Sequence, residues 1–159
     1  MRNYDLITPE GTKDLLFGEC VARRDIENKL MNLFKGRGYS EMITPGLEFY
    51  DVFNLKSPYF PQENMYKLID HKGRLLVMRP DSTLPIARVV ATRLKDAALP
   101  LRLCYNQAVY RTEPALKGKS DEIVQTGIEL IGSQMKIADL EVISTAVDAL
   151  REFGLEFSI

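Results

Sequence analysis

The sequence predicts an α+β fold in which an antiparallel sheet is flanked by helices, and three observations predict it. Apolar residues recur at helical spacing early in the chain, at Ala22, Ile26, Leu30 and Leu33, and again late, at Leu140, Ile143, Val147 and Leu150. Between them lie two long stretches of period two, Leu101 to Glu113 and Glu122 to Gly132, so close in sequence that they must pair antiparallel. The 159 residues, 45% hydrophobic and 27% charged, can bury roughly 70% of their unfolded surface, which makes one domain over residues 1–159.

The elements follow in order. The first helical stripe, with Phe34 alongside Leu33, is stopped by Gly36 and Gly38. Tyr39 to Thr44 reads as a strand that Pro45 ends, because proline cannot donate to a ladder. Residues 46–64, with Asn54, Pro58, Pro61 and Asn64, read as loop with at most short helix. Met65 to Ile69 and Arg74 to Met78 flank a glycine-containing turn and form a hairpin. Asp81 or Ser82 caps a helix that carries Ile86, Val89, Val90 and Leu94 on one stripe. In the next strand Leu101, Leu103, Tyr105, Gln107, Val109, Arg111 and Glu113 share a face, and Pro114 to Ser120 turns the chain. The returning strand has Val124, Thr126, Ile128 and Leu130 on one face, and Ile123, Gln125, Gly127, Glu129 and Ile131 on a half-polar other. Phe153 extends the last helical stripe, Gly154 closes it, and Leu155 to Ile159 begins what reads as another strand.

Composition excludes several classes. No apolar run approaches the ~20 residues of a membrane span, and Met1-Arg2-Asn3-Tyr4-Asp5 lacks the features of a secretory leader, so the expectation is cytoplasmic. Cys20 and Cys104 have no metal-site spacing and read as small buried hydrophobes. The single histidine, His71, lies in a turn, and no P-loop, dinucleotide fingerprint or metal-ligand pattern occurs, so neither metal nor cofactor is expected. Charge is uneven beneath a net −1: residues 71–120 hold ten basic and three acidic groups, residues 121–159 two and eight. Such asymmetry fits either an anion site facing an ammonium site or plain neutralisation across the surface.

Two constellations carry chemistry. On the long hairpin, Arg111 and Glu113 are expected beside Gln125 and Glu129, an arrangement that is either an ammonium cradle or a solvated sheet face. Asp81-Ser82-Thr83 is a helix cap that can also present a carboxylate and a hydroxyl to a small polar ligand. Lys117-Gly118-Lys119 in the hairpin loop is either a phosphate contact or a solvated basic loop.

Pro9-Glu10-Gly11-Thr12-Lys13-Asp14, the helix into Gly38-Tyr39-Ser40-Glu41-Met42-Ile43-Thr44-Pro45, Arg79-Pro80-Asp81-Ser82-Thr83, and Tyr110-Arg111-Thr112-Glu113 through Gln125-Thr126-Gly127-Ile128-Glu129 occur in one order. Together they resemble the first half of the histidyl-tRNA synthetase catalytic domain, a class II aminoacyl-tRNA synthetase fold, over nearly the whole chain. The resemblance implies that Pro45 belongs to the dimer-forming first motif and that Tyr105 to Gln125 corresponds to the second. It implies a histidine site at Asp81, Thr83, Gln125 and Glu129, with Asp81 standing where synthetases have glutamate. Further strands and a third motif would follow Ile159, so the chain is expected to be the truncated first half of a catalytic-type domain.

The nucleotide side departs from the synthetase pattern. Arg111 and Glu113 match the residues of the ATP site, yet Asp121 stands where an arginine is found, Ile123 where an adenine-stacking aromatic is found, and Gln107 where a glycine is found. Adenylate formation needs cations placed to meet charge developing on phosphate, and an aspartate reverses that sign. A kept histidine pocket beside a vestigial ATP site resembles the regulatory subunits of ATP phosphoribosyltransferase, synthetase paralogues in histidine biosynthesis. That resemblance implies no catalysis by this chain, a short-form phosphoribosyltransferase catalytic subunit as partner, L-histidine as the sensed ligand, self-association and no tRNA partner. The competing implication is a fragment of a true histidine–tRNA ligase.

Overall fold

In the computed structural model, which describes residues 4–54, 61–112 and 120–158, the long hairpin is the centre of the molecule. Strand β5, Leu101–Tyr110, and strand β6, Glu122–Ile131, pair antiparallel without a break from Leu101 opposite Ile131 to Tyr110 opposite Glu122. Strand β1, only Ser40–Glu41 of the longer strand expected, joins β5 in parallel, so this first sheet is mixed, in the order β1-β5-β6.

A second sheet has the order β2-β4-β3. Its hairpin, β3 at Lys67–Ile69 and β4 at Leu75–Met78, was legible in the turn chemistry. Strand β2, Leu47–Phe49, pairs with β4 and corrects the loop expected over residues 46–64, which otherwise contains short 3-10 turns. Its inward residue is a glutamate: Glu48 is buried and held by Arg88 through Nη2 at 2.5 Å and Nε at 3.0 Å. A strand whose core-facing residue is charged carries no alternating hydrophobic signal.

Helices α1, Gly18–Gly36, α2, Thr83–Thr92, and α3, Lys136–Arg151, occupy the expected places; α1 is rotated so that Leu30, Leu33 and Phe34 of its expected stripe meet the core and its first part does not, and α3 is rotated further. On α1 the buried residues are Glu27, Met31 and Phe34, while Ala22 and Ile26 are exposed. Glu27 can face inward because Arg23 and Arg24, one turn earlier, each donate to its carboxylate at 2.8 Å. On α3 the buried residues are Thr145 and Ala149, whereas Leu140, Ile143 and Leu150 of the expected stripe are exposed and Val147 and Phe153 are half-buried.

Polar contacts explain that rotation. Arg102 donates to both carboxylate oxygens of Glu141, at 2.7 and 2.8 Å, and Tyr39 donates to the same group at 3.0 Å. Arg37 bonds the Thr145 hydroxyl at 2.9 Å and pairs with Asp148. Three small clusters form the core: Met31, Phe34, Tyr39, Cys104 and Ala149; Phe53, Met65 and Val77; Ile86, Leu103 and Tyr105. Cys104 is buried as expected, whereas Cys20 is exposed, its thiol donating to the Leu15 carbonyl at 3.1 Å. Residues 155–158 form no strand, which corrects that expectation, and β5 ends at Tyr110 rather than Glu113. No helix among the described residues is long and apolar enough to cross a membrane.

Candidate functional site

The start of α2 meets one face of β6 across Thr83 and Glu129. Asp81 caps the helix: its Oδ1 accepts the Leu84 N–H at 3.2 Å, while Ser82, the other candidate cap, makes no capping bond. The cap directs the next side chain toward the sheet, where the Thr83 hydroxyl donates to Glu129 Oε1 at 2.8 Å. Glu129 stands opposite Leu103 in the ladder, Gly127 opposite Tyr105, and Gln125 opposite Gln107. Period two therefore places Gln125 and Glu129 on one face with the buried side of β5.

This face holds more acceptors than donors. Asp81 is 5% exposed, and burial pushes its carboxyl pKa up, against the Leu84 N–H and the charge of Arg111. Burial pushes Glu129 up too, with the Thr83 hydroxyl opposing and the Asp81 charge adding. Gln125 Oε1 and Ser82 Oγ are buried without a hydrogen-bond partner among the described residues. Two carboxyls and an unsatisfied amide oxygen on one buried face call for a cation or a donor-rich ligand, because an uncompensated buried acceptor costs about 1–3 kcal/mol.

Tyr105 belongs to this site and was not singled out by sequence. It is buried, and burial together with the Glu129 and Asp81 charges pushes its phenol up to about 12, so it stays a neutral donor. The available signal was its cross-strand partner: a Cβ at Gly127 would lie 2.6 Å from the Tyr105 hydroxyl oxygen. Only glycine leaves room for the ring.

The expected neighbourhood of Arg111 with Glu129 is corrected by the register. Arg111 lies just beyond the ladder, its N–H donating to the Asp121 carbonyl at 2.9 Å, four residues past the Gln107–Gln125 pair and eight past the Leu103–Glu129 pair. Its side chain turns to the Pro80 carbonyl, Nε donating at 2.6 Å, and its charge reaches Asp81 rather than Glu129. Glu113 and Lys117-Gly118-Lys119 lie outside the described residues.

Asp121 is occupied. Tyr66 donates to its Oδ2 at 2.5 Å, which pushes the Tyr66 phenol up to about 12, and its own N–H donates to the Gly11 carbonyl at 2.7 Å. Gly11, at φ +77, comes so close that a Cβ there would lie 2.5 Å from Asp121 Cγ. Ile123 is 40% exposed. Gln107, on the strand face shared with Tyr105 and in place of a synthetase glycine, is turned aside: its Oε1 accepts from Arg79 at 3.0 Å and from the Thr44 N–H at 3.2 Å.

The histidyl-tRNA synthetase family model matches residues 11–158. The chain belongs to the histidyl-tRNA synthetase family. Within that family, the ATP phosphoribosyltransferase regulatory subunit of Clostridium kluyveri is 49% identical over 156 residues, covering 98% of this chain and 40% of the relative. Among solved structures, a Bacillus halodurans ATP phosphoribosyltransferase regulatory subunit/histidyl-tRNA synthetase superposes with a TM-score of 0.88 at 38% identity, over 98% of this chain and 40% of that one. Apo histidyl-tRNA synthetase of S. aureus follows at 0.79 and 28%, over 94% and 35%. The chain thus spans about two fifths of the length of these relatives, and its hairpin with flanking helices is part of the class II synthetase fold.

Proposed function

We propose that this chain is the histidine-binding first part of a regulatory subunit of ATP phosphoribosyltransferase. The subunit reports L-histidine to a short-form catalytic subunit and is required with it for the first step of histidine biosynthesis. In this reading residues 1–159 carry the first two class II motifs of a longer domain. The observation that carries it is the meeting of Asp81, Thr83 and Glu129 at the α2 cap, on the sheet face where Gln125 Oε1 has no donor among the described residues. An α-ammonium supplies positive charge to the two carboxyls, and an imidazole N–H supplies a donor. The relatives named as regulatory subunits give the reading its biological setting.

Catalytic silence follows from the nucleotide side. Arg111 and Glu113 are the remnant of an ATP site, but Asp121 brings a negative charge where developing phosphate charge needs a cation, and Tyr66 and the Gly11 backbone hold it in place. The subunit self-associates through the helix of Val21 to Lys35 and the segment ending at Pro45, where Val21 and Ile26 stand exposed on α1. It works in the cytoplasm and has no tRNA partner.

The test uses the full-length protein. Calorimetry should detect L-histidine binding, the protein should activate a short phosphoribosyltransferase catalytic subunit in trans, and histidine-dependent ATP–pyrophosphate exchange should be absent. Robust exchange and tRNA charging would replace this reading with a histidine–tRNA ligase. Because coupling is reciprocal, histidine affinity must also change when the catalytic subunit and its substrates are added, and identical titrations would leave a simple binding module.

A further inference from the structure

The candidate site is assembled from two sheets that share no strand. Asp81 and Thr83 follow β4 of the second sheet, while Gln125 and Glu129 lie on β6 of the first. Arg79, two residues before Asp81 and 6% exposed, joins the two halves. Its Nε donates to the Ala108 carbonyl on β5 at 2.7 Å, and its Nη1 reaches the Thr44 carbonyl at 2.6 Å and Gln107 Oε1 at 3.0 Å. Longer bonds from Nη1 run to Thr44 Oγ1 and the Pro45 carbonyl, each 3.2 Å. The Arg79 backbone repeats the pattern: its N–H donates to the Gly46 carbonyl at 2.9 Å, and its carbonyl accepts the Tyr110 N–H at 3.0 Å.

We infer that Arg79, with Gln107 as one of its side-chain acceptors, is the positioning residue of the ligand site. It sets Asp81 and Thr83 against Gln125 and Glu129, and it makes the Thr44–Pro45 segment respond to the site's occupancy. The inference rests on the histidine reading above. Physically, a guanidinium is a rigid planar fork, so its acceptors cannot move independently of one another. All five acceptors are neutral oxygens in buried or part-buried surroundings, Nε serving Ala108 and the two hydrogens of Nη1 shared among the Thr44 carbonyl and hydroxyl, the Pro45 carbonyl and Gln107 Oε1, so shared donors tie the arrangement into a unit. Gln107 closes the circuit: it faces Gln125 in the ladder, accepts from Arg79, and both accepts from the Thr44 N–H at 3.2 Å and donates to the Thr44 hydroxyl at 3.1 Å. A ligand that draws Asp81 or Gln125 inward therefore pulls on backbone tied to Thr44.

The experiment compares full-length wild type with Arg79→Lys and Gln107→Ala. It measures L-histidine affinity by calorimetry, thermal unfolding, and hydrogen exchange at the Thr44 amide with and without histidine. In wild type, histidine should slow exchange at Thr44. Arg79→Lys keeps the charge and loses the fork, so affinity should fall about tenfold and the histidine-dependent change at Thr44 should vanish while its basal exchange persists. Gln107→Ala should weaken binding about as much, and Gln107→Glu, which keeps an acceptor for Arg79, should return to within about threefold of wild type. A purely structural arginine would lower the unfolding temperature and leave affinity and the Thr44 response unchanged. That result in whichever of the two variants folds would overturn the inference. Failure of the wild type itself to bind histidine is a different outcome, which overturns the histidine reading and this inference with it.

Discussion

Glu129 and Glu141 are the same side chain on opposite faces of one sheet, and they are treated in opposite ways. Arg102 and Leu103 are neighbours on β5; the first donates twice to Glu141 on α3, and the second stands opposite Glu129 on β6. The Arg102 hydrogen bonds, with Tyr39 adding another, bring the Glu141 carboxyl down to about 2. Burial moves Glu129 the other way, with one hydroxyl to oppose it and the Asp81 charge to reinforce it. A carboxylate whose charge is met by the protein is architecture. One buried with a single hydroxyl to meet it carries an electrostatic burden that a bound cation would relieve.

The largest expected effect breaks the site side of this comparison. Glu129→Gln in the full-length protein should cost about 2–5 kcal/mol of histidine binding, because the ligand's ammonium or imidazole loses a desolvated charged partner. The same substitution keeps an acceptor for Thr83 and removes a strained charge, so the ligand-free protein should unfold at a higher temperature than wild type. Unchanged affinity by calorimetry would remove Glu129 from the site.

Next in size is Gly127→Ala. Its methyl would meet the Tyr105 hydroxyl at 2.6 Å and ring carbon Cζ at 2.8 Å, and overpacking of this kind costs about 1–3 kcal/mol. Adding Tyr105→Phe removes the nearest atom and should recover part of the loss in urea denaturation. Simple additivity of the two substitutions would show that the ring does not need the glycine.

A pH series sharpens the contrast because the two glutamates carry opposite signs. The folded pKa of Glu141 lies below its ordinary value of 4.5, so its contribution to stability is full above that value and is lost as pH falls through about 2. Asp81 and Glu129 have raised folded pKa values, so their burden is absent below their ordinary values and grows as pH rises through the folded ones. Urea midpoints for Glu129→Gln should exceed wild type at neutral pH and converge with it in acid, and equal gaps at both ends would contradict the assignment.

The smallest effect is Glu141→Gln. It should lower the unfolding temperature modestly at neutral pH, flatten the acid limb of the stability profile, and leave histidine affinity unchanged, since Arg102 and Tyr39 donate to it on the side of β5 away from Leu103 and its partner Glu129. A change in affinity would mean that the two faces of the sheet are coupled.

Local rules were enough to read much of this molecule. The β5–β6 ladder, the β3–β4 hairpin, the Asp81 cap and the glycine that ends α1 depend on residues close in sequence, and each was found where expected. The helix faces were read only in part on α1 and α3, where Leu30, Leu33 and Phe34 reach the core as expected and Ile26, Leu140 and Ile143 do not, for one reason: polar residues went inward with partners. Glu27 with Arg23 and Arg24 lay within reach of a helical pattern, but Thr145 and Glu141 were matched to Arg37 and Arg102 from distant parts of the chain. The same applies to β2, where Glu48 meets Arg88 forty residues on.

By itself, the sequence determined the pairing of the two long strands and the helix cap at Asp81, because period two and a cap are properties of neighbouring residues, while Asp81, Thr83, Gln125 and Glu129 as a histidine site came from the family resemblance. Only the tertiary structure decided that Asp81 and Thr83 meet Glu129 on one buried face while Arg111, just beyond the ladder, bonds the Pro80 carbonyl and extends its charge to Asp81 and Tyr105. It also decided that Gln107 turns to Arg79 instead of the ligand face, and that Leu140, Ile143 and Leu150 of α3 face outward. The physical reason is that hydrophobic periodicity reports area available for burial. Which face is buried is settled by where charged and polar groups find partners, and those partners are brought together only by the fold.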